Sequence, residues 1–173
     1  MNEEAIIKKC QQNDMGAFKM IFEFYSQSMM RTAIRILRNR QDAEDVVQTT
    51  FLKVFRNIKR FQFKSRFSTY LYRILINNCY DSLKKNRIQT DSQEMETLAL
   101  NPVPGQAMEL EAAIQKLPQR MKTCFVLFAI EEFKQDEIAR LLNLKVGTVK
   151  ATIFRAKQHL RRMLSDQLKE GQA

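Results

Sequence analysis

The stretch from residue 136 to residue 162 limits what this chain can fold into more than any other segment. Its second half carries four apolar residues at spacings of four, three and four, a single stripe with the period of an α-helix: Val149, Ile153, Ala156 and Leu160. A shorter apolar pattern before it predicts another helix: Ile138, Ala139, Leu141 and Leu142. A tight turn is expected near residues 143–146, with Thr148 as the cap of the second helix.

The opposite side of this second helix is polar and basic. Its outward face is predicted to contain Thr148, Ala151, Thr152, Arg155, Gln158 and Arg162, flanked by Lys150, Lys157 and Arg161. A short helix, a turn and a basic second helix form the helix-turn-helix layout, in which the second helix enters the DNA major groove. The alternative is an ordinary helical hairpin with a solvated basic face. We favour DNA binding because the charge, the turn and the apolar stripe agree.

Helix-breaking residues are scarce, and this predicts an all-α fold. The chain has four glycines and three prolines, and Pro102, Pro104 and Gly105 cluster in one short segment. No apolar run approaches the roughly 20 residues that a membrane helix needs, and the polar, acidic N-terminus lacks the pattern of a secretory signal. The three cysteines are scattered without metal-ligand spacing. We therefore expect the cysteines to be buried like small hydrophobic residues. A reducing cytoplasm is the expected compartment.

The net charge of +10 indicates a polyanionic partner, most simply nucleic acid. Residues 1–88 carry 17 Lys and Arg against 8 Asp and Glu, and residues 112–173 carry 12 against 6. Residues 89–111 carry five acidic residues and no basic one. The chain is therefore predicted to consist of two small helical domains, 1–88 and 107–173, joined by a flexible acidic linker at 89–106.

Four helices fit the first domain: residues 2–13, residues 16–38, a third from Asp42, and a fourth over residues 68–86 opened by Ser68 or Thr69. The second and third helices are expected to turn these residues inward: Phe18, Ile21, Phe22, Tyr25, Met29, Ala33, Ile36 and Leu37 in the second, and Val46, Val47, Phe51, Val54, Phe55 and Ile58 in the third. Residues 59–67 lack a clean period and are predicted as a loop. In the second domain, a helix over residues 107–116 and one opened by Pro118 precede the helix-turn-helix pair.

The third helix of the first domain also has an outward stripe, which three- and four-residue steps place together: Asp42, Asp45, Gln48, Thr49, Leu52 and Arg56. Acidic residues near a helix start also interact favourably with the helix dipole, and this is a purely structural explanation for their presence. Leu52 within a polar stripe instead suggests contact with another protein. The spacing alone leaves both interpretations open.

Aromatic and basic residues alternate in the loop and continue along the fourth helix: Lys59, Arg60, Phe61, Phe63, Lys64, Arg66, Phe67, Tyr70, Tyr72, Arg73, Asn77, Asn78, Tyr80, Asp81, Lys84, Lys85 and Arg87. Aromatic rings offer stacking platforms, cations hold phosphate and amides read base edges. This mixture is typical of a site for unstacked single-stranded DNA. The alternative is that several rings belong to the core, which we expect for Tyr72 and for at least one loop phenylalanine.

Residues for catalysis are not evident in the sequence. The chain has one histidine, His159, which we expect to be solvated or close to phosphate. No nucleophile elbow, phosphate-binding glycine loop or zinc-ligand set occurs. We therefore expect neither an enzyme nor a protein that binds a cofactor or metal.

Three motifs in collinear order resemble the extracytoplasmic-function (ECF) sigma factors of bacteria. They are DAEDVVQTTFLKVFR at 42–56, FSTYLYRILIN at 67–77 followed by DSLKK at 81–85, and Leu117-Pro118 followed by VGTVK at 146–150. The resemblance spans nearly the whole chain. It implies two helical domains, region 2 and region 4, bridged by a linker, in a protein that binds core RNA polymerase and directs it to promoters.

The resemblance implies a role for each surface. Region 2 would dock on the clamp of the largest polymerase subunit through the stripe Asp42, Asp45, Gln48, Thr49, Leu52 and Arg56. Its loop and last helix would open and capture the minus-10 element, using Phe61, Phe63, Lys64, Arg66, Phe67, Tyr70, Arg73, Asn77, Asp81, Lys84 and Lys85. Region 4 would rest on the flap of the second-largest subunit and read the minus-35 element as duplex, using Lys145, Gly147, Thr148, Lys150, Ala151, Thr152, Phe154, Arg155 and Lys157.

Some positions depart from the family pattern. Tyr70 stands where the family often has tryptophan, and this aromatic residue can still stack. Lys134 replaces the usual Ser or Thr cap, so that helix end should be less well capped. Ala151 and Thr152 replace a common Ser-Arg pair, which leaves the minus-35 sequence open. We expect no sensor domain after residue 173, and the resemblance then implies a separate anti-sigma protein as the regulator.

Two other classes of protein fit part of the pattern. A conventional helix-turn-helix repressor or activator would act on duplex DNA without core polymerase. Such a protein has no use for an aromatic, basic loop and a docking helix. A small RNA-binding protein or nuclease fits the charge, but the sequence lacks catalytic residues.

Overall fold

The computed structural model describes the backbone of residues 2–89 and 106–170, and the side chains of residues 2–86 and 108–165. Over these ranges the chain forms eight α-helices and one short 3-10 helix, and no strand. The prediction of an all-α fold is therefore confirmed. Most of the predicted acidic linker lies outside the described residues.

The chain divides into two compact units, and the first spans Met1–Leu98. Its described helices are α1 Glu3–Gln11, α2 Met15–Leu37, α3 Arg40–Asn57, the 3-10 turn Ile58–Arg60 and α4 Phe67–Gln89. Helices α2, α3 and α4 pack against one another. They enclose a core of fully buried side chains that includes Met29, Ala33, Ile36, Val54, Leu71, Leu75, Ile76 and Cys79.

Helix α1 is fixed firmly to the first unit. It packs against α2 and buries Ile7 and Cys10. The hydroxyl of Tyr25 on α2 donates to the carboxylate of Glu3 at the start of α1. Burial, together with this hydrogen bond, raises the pKa of the Tyr25 hydroxyl well above its ordinary value, so the hydroxyl stays a donor.

The second unit spans Ala99–Ala173. Its described helices are α5 Gln106–Lys116, α6 Gln119–Ala129, α7 Gln135–Leu142 and α8 Val146–Glu170. Residues from α5, α6 and α8, with Leu117, form one apolar cluster: Ala113, Ile114, Leu117, Phe125, Val126, Ala156 and Leu160. The helix predicted to open with Pro118 is present as α6, but Pro118 is its N-cap and Gln119 is its first residue.

Several helix starts differ from the prediction. Helix α3 begins at Arg40, two residues before Asp42, because the side-chain oxygen of Asn39 accepts the Asp42 N–H at 2.9 Å and caps the helix. Helix α4 begins at Phe67, so neither Ser68 nor Thr69 is its cap. Helix α8 begins at Val146, which places Thr148 inside the first turn and makes its prediction as a cap wrong.

Two phenylalanines predicted to face inward are exposed instead. Phe22 on α2 is 44% exposed and Phe55 on α3 is 38% exposed. The ring centroids of Phe55 and Phe18 lie 5.0 Å apart, so Phe55 packs at the edge of the core rather than within it. Helical spacing placed these residues on the apolar side, but both lie at the margin of the α2–α3 contact.

A buried amide joins α3 to α4. Asn78 is 6% exposed, and its side-chain nitrogen donates to the Thr50 hydroxyl at 2.9 Å. Its side-chain oxygen accepts from the ammonium of Lys53. At the far ends of the same helices, Asn86 donates to a carboxylate oxygen of Asp42 at 2.8 Å. These bonds hold α3 and α4 in one register, because a buried amide left without partners is costly.

The three cysteines are free and buried, as the sequence predicts. Burial raises the pKa of the Cys79 thiol to about 12 and that of Cys124 to about 11, from an ordinary value of 9.0. A thiol that keeps its proton in the folded state but loses it on unfolding favours unfolding at high pH.

The contribution of the protonated Cys79 thiol to the free energy of unfolding should be fully present below pH 9 and lost as the pH rises toward about 12. We expect the free energy of unfolding of Cys79→Ala to fall less steeply over this window than that of the wild type. Denaturant titrations of both proteins across the window measure the difference, since the other titrating groups are common to both. If the free energies of unfolding of the two proteins changed in parallel with pH, the raised pKa would not belong to Cys79.

Candidate nucleic-acid and protein interfaces

Helices α7 and α8 pack against each other as a helix-turn-helix pair. Asn143 ends α7 in the left-handed conformation with φ 53°, and the Leu144 N–H donates to the Ala139 carbonyl at 2.8 Å. At the other end of α7, lysine offers no acceptor as a cap, so the Lys134 side chain cannot bond the first-turn N–H groups. Glu137 supplies the other half of a capping box, because its carboxylate accepts the Lys134 N–H at 2.9 Å.

The predicted stripe of α8 is buried, which confirms its register: Val149, Ile153, Ala156 and Leu160 are all at most 5% exposed. Of the nine residues predicted to contact the minus-35 element, only Thr152 is half-buried and the others are exposed. The Thr152 hydroxyl donates to the Thr148 carbonyl at 2.7 Å. Phe154 is 62% exposed, and a Cβ at Gly147 would meet open space. The first turns of α8 therefore present an exposed face.

Arg155 lies on this face and Lys150 lies at its flank. We expect Arg155→Ala to relax base preference in a bound duplex, because a bidentate arginine–guanine contact is worth roughly 1–3 kcal/mol of discrimination. Lys150→Ala should instead weaken binding to all sequences and lower the salt slope by about 0.9. Binding to a panel of duplexes at several salt concentrations measures both effects. If Arg155→Ala altered only the salt dependence, Arg155 would be a phosphate contact.

The aromatic residues of the loop between α3 and α4 form one cluster. Phe61 lies 5.0 Å from Phe63, 5.5 Å from Phe67 and 5.1 Å from Tyr70 between ring centroids, and Phe67 lies 6.0 Å from Tyr25 on α2. Phe61 is 9% exposed and Phe67 is 2% exposed. The prediction that these two rings contact DNA directly is therefore corrected. Both rings are instead buried within the aromatic cluster.

Phe63 differs from its neighbours in both exposure and backbone conformation. Its side chain is 38% exposed, and its φ of 55° lies in the left-handed region. That conformation costs a residue other than glycine about 1–2 kcal/mol. The ammonium of Lys8 on α1 lies 5.8 Å from the centroid of its ring. Phe63 is therefore the loop phenylalanine whose ring is available for stacking.

One face of α4 continues this surface. Steps of three and four residues align Tyr70, Arg73, Asn77, Asp81 and Lys84, and all except the half-buried Tyr70 are exposed. Lys85 beside them, and Lys64 and Arg66 in the loop, are also exposed. Burial raises the pKa of the Tyr70 hydroxyl, which keeps it protonated. Tyr72 is buried as expected, and its hydroxyl donates to the Ser28 hydroxyl at 3.0 Å.

The predicted stripe on α3 is present as an outward face. Asp45, Gln48, Thr49, Leu52 and Arg56 are exposed, and Leu52 is 56% exposed. Asp42 is half-buried because it accepts the bond from α4 described above. Exposed Phe55 lies three residues from Leu52 and enlarges the apolar part of this face, a feature that sequence reasoning missed. A mixed apolar and polar face of this kind is typical of a protein contact.

Within residues 2–89 and 106–170, every helix is too short or too polar to span a membrane. The same ranges hold no group of three or more His, Cys, Asp or Glu residues that could hold a metal ion.

Comparisons with known proteins agree with this architecture. The family model described as Sigma-70 region 2 matches residues 21–88, and that described as Sigma-70, region 4 matches residues 107–160. The ECF RNA polymerase sigma factor SigW of Bacillus subtilis is 34% identical over 92% of this chain and 95% of its own length. The RNA polymerase sigma-H factor of Pseudomonas aeruginosa is 31% identical over 98% of this chain and 97% of its own.

A similar fold is found in the sigma factor RpoE from Bartonella quintana, solved in complex with the anti-sigma factor NepR. It superposes with a TM-score of 0.77 at 23% identity, over 86% of this chain and 96% of that one. One family assignment follows from three observations: the order of the surfaces along the chain, the two family matches and the near full-length relatives. This chain belongs to the ECF sigma factor family.

Proposed function

We propose that this chain is an alternative sigma factor, which binds core RNA polymerase and directs it to promoters without catalysing a reaction itself. The observation that carries the proposal is the first unit, which presents an outward face of mixed polar and apolar residues on α3 and an aromatic, basic, amide-bearing face on α4 and its loop. A regulator that acts only on duplex DNA does not require this pair of surfaces. The proposed domains are region 2 at 1–88, a linker at 89–106 and region 4 at 107–173.

The α3 face is proposed to dock on the clamp of the largest polymerase subunit. Its exposed acidic residue, Asp45, would meet a cationic partner, and Leu52 with Phe55 would fill an apolar recess. Gln48 and Thr49 supply hydrogen-bonding groups between the acidic and apolar parts, and Arg56 ends the stripe. Asp42 contributes mainly by holding α3 to α4, since its carboxylate is already hydrogen-bonded.

The loop and the outer face of α4 are proposed to hold the melted minus-10 element. Phe63 and Tyr70 offer rings for stacking, Asn77 offers an amide for base edges, and Lys64 and Arg66 offer charge for phosphate. Arg73, Asp81, Lys84 and Lys85 extend the exposed face along α4. Phe61 and Phe67 serve this site from the core by supporting the loop.

The exposed face of α8 is proposed to read the minus-35 element in the major groove. Arg155 and Thr152 would reach base edges, and Phe154 and Ala151 would make apolar contacts such as that with a thymine methyl. Lys145, Lys150 and Lys157 would contact phosphates on either side of the groove. Gly147 and Thr148 lie in the first turn of α8, where backbone N–H groups can meet a phosphate.

An anti-sigma protein is proposed as a further partner. Among the large apolar residues that α2 and α3 expose are three phenylalanines and a leucine that a covering protein could bury: Phe22, Phe24, Leu52 and Phe55. A protein bound over Leu52 and Phe55 would block the proposed docking face directly. Because core polymerase and promoter DNA are in the cytoplasm, we propose that the chain is cytoplasmic.

Run-off transcription tests the proposal. Purified core polymerase with this chain should produce discrete transcripts from a subset of genomic fragments, whereas neither component alone should do so. Duplex binding by the chain with no such transcripts, and no association with core polymerase, would instead identify a conventional helix-turn-helix regulator.

A further inference from the structure

We propose that α1 forms part of the site for the melted minus-10 strand. Gln11 sets the conformation of the loop between α3 and α4. Lys8 binds the phosphate of the nucleotide that stacks on Phe63. The inference rests on the proposed function of that loop. Helix α1 lies outside the matched region 2, which begins at residue 21.

The side chain of Gln11 makes two hydrogen bonds across almost fifty residues of sequence. Its amide nitrogen donates to the Ile58 carbonyl at 3.0 Å and to the Phe61 carbonyl at 2.8 Å. The Ile58 carbonyl also accepts the Phe61 N–H at 3.0 Å, so both ends of the 3-10 turn are held together. Gln11 is the last residue of α1, and α1 is itself fixed to α2. The turn that leads into Phe63 is therefore anchored on a rigid element.

The consequence of this anchor is the position of Phe63. Two residues beyond the second carbonyl, the chain enters the left-handed region at Phe63 and leaves its ring partly exposed. A strained residue persists only where its surroundings determine its conformation. Gln11 is such a determinant, because an unanchored loop could relax and turn the ring elsewhere.

Lys8 lies one helical turn before Gln11 and reaches the same place. Its ammonium lies 5.8 Å from the Phe63 ring centroid and 2.7 Å from a carboxylate oxygen of Glu4. Both contacts are exposed and therefore weak. A base stacked on Phe63 brings its own phosphate to this point, so Lys8 can exchange both contacts for a phosphate at little cost. Lys9 points elsewhere on α1 and is exposed, which makes it a matched control for charge.

The test uses holoenzyme assembled from the full chain and core polymerase, with a fluorescein-labelled minus-10 single strand from a promoter that the wild type transcribes. Gln11→Met removes both donors while keeping the length of the side chain, and Gln12→Met is its control at an exposed neighbour. We expect Gln11→Met to weaken single-strand binding about tenfold, as the loss of two hydrogen bonds implies. Its salt slope, core binding and minus-35 duplex binding should stay at wild-type values.

Lys8→Met and Lys9→Met remove the same charge from exposed positions, so folding is not at issue. We expect Lys8→Met to lower the salt slope of single-strand binding by about 0.7, and Lys9→Met to leave it unchanged. Equal slopes for the two lysine variants, or equal affinities for the two glutamine variants, would overturn the inference while leaving the proposed function intact. Failure of wild-type holoenzyme to hold the single strand would overturn the proposed function itself and this inference with it.

Discussion

Replacing Asp45 by arginine is expected to abolish stable binding of this chain to core RNA polymerase while its melting temperature stays near that of the wild type. Asp45 is exposed on the outward face of α3, so the substitution disturbs no packing. At the proposed interface it places a cation where an anion is required, and like charges brought together across an interface cost several kcal/mol. Pull-down of core polymerase and thermal unfolding measure the two halves of this prediction.

Glu23→Arg is the matched control for this experiment. It makes the same charge change at an exposed position on α2, away from the α3 stripe, and should retain core binding. Normal core binding by a folded Asp45→Arg protein would remove α3 from the docking interface.

Asn77→Ala and Phe63→Ala are expected to stop promoter opening while sparing core binding and duplex recognition. Melting requires displaced bases to find partners, and a base stacked on an aromatic ring gains roughly 1–3 kcal/mol, or about 5- to 150-fold in affinity. The double variant Lys64→Ala/Arg66→Ala should fail in the same way through lost phosphate contacts. Permanganate reactivity of minus-10 thymines in the holoenzyme complex reports the opening directly.

The neighbouring asparagine provides an internal contrast. Asn78→Ala removes a buried amide that bonds Thr50 and Lys53, and it should lower the free energy of unfolding by roughly 1–3 kcal/mol. Asn77→Ala should leave stability unchanged, because Asn77 is exposed. A template with a pre-melted bubble should partly restore transcription by the Asn77 and Phe63 variants. Wild-type permanganate reactivity in these variants would show that the α4 face does not receive the melted strand.

Helical periodicity predicted much of the fold, because a stripe at three- and four-residue steps can be buried in only one way. The stripe from Val149 to Leu160 is buried as predicted, and the exposed face of α8 follows from it by geometry. The same reasoning placed Asp45 and Leu52 outward on α3, as they are. Helix starts were less predictable because several polar residues compete for the cap, and Asn39 rather than a later residue caps α3.

The loop could not be predicted in this way. Phe61, Phe63 and Phe67 alternate with cations and look equivalent in the sequence, yet only Phe63 is left exposed. Phe63 has a left-handed backbone conformation, and the turn before it accepts hydrogen bonds from Gln11 across 47 and 50 residues. Contacts at that separation leave no local pattern. Only the folded structure distinguishes the exposed ring from the two buried ones.

Under the proposed function, the buried amide of Asn78 has a consequence for the order of events at a promoter. Asn77 stands on the same turn of α4, so the backbone that carries the proposed strand-binding side chains is already fixed when DNA arrives. We therefore expect the slow step to be the spontaneous opening of base pairs, with no rearrangement of the α4 backbone before it. We expect initiation by this sigma factor to be fastest where stacking within the minus-10 element is weakest. The protein would act as a fixed receptor, and the DNA sequence would set the rate of promoter opening.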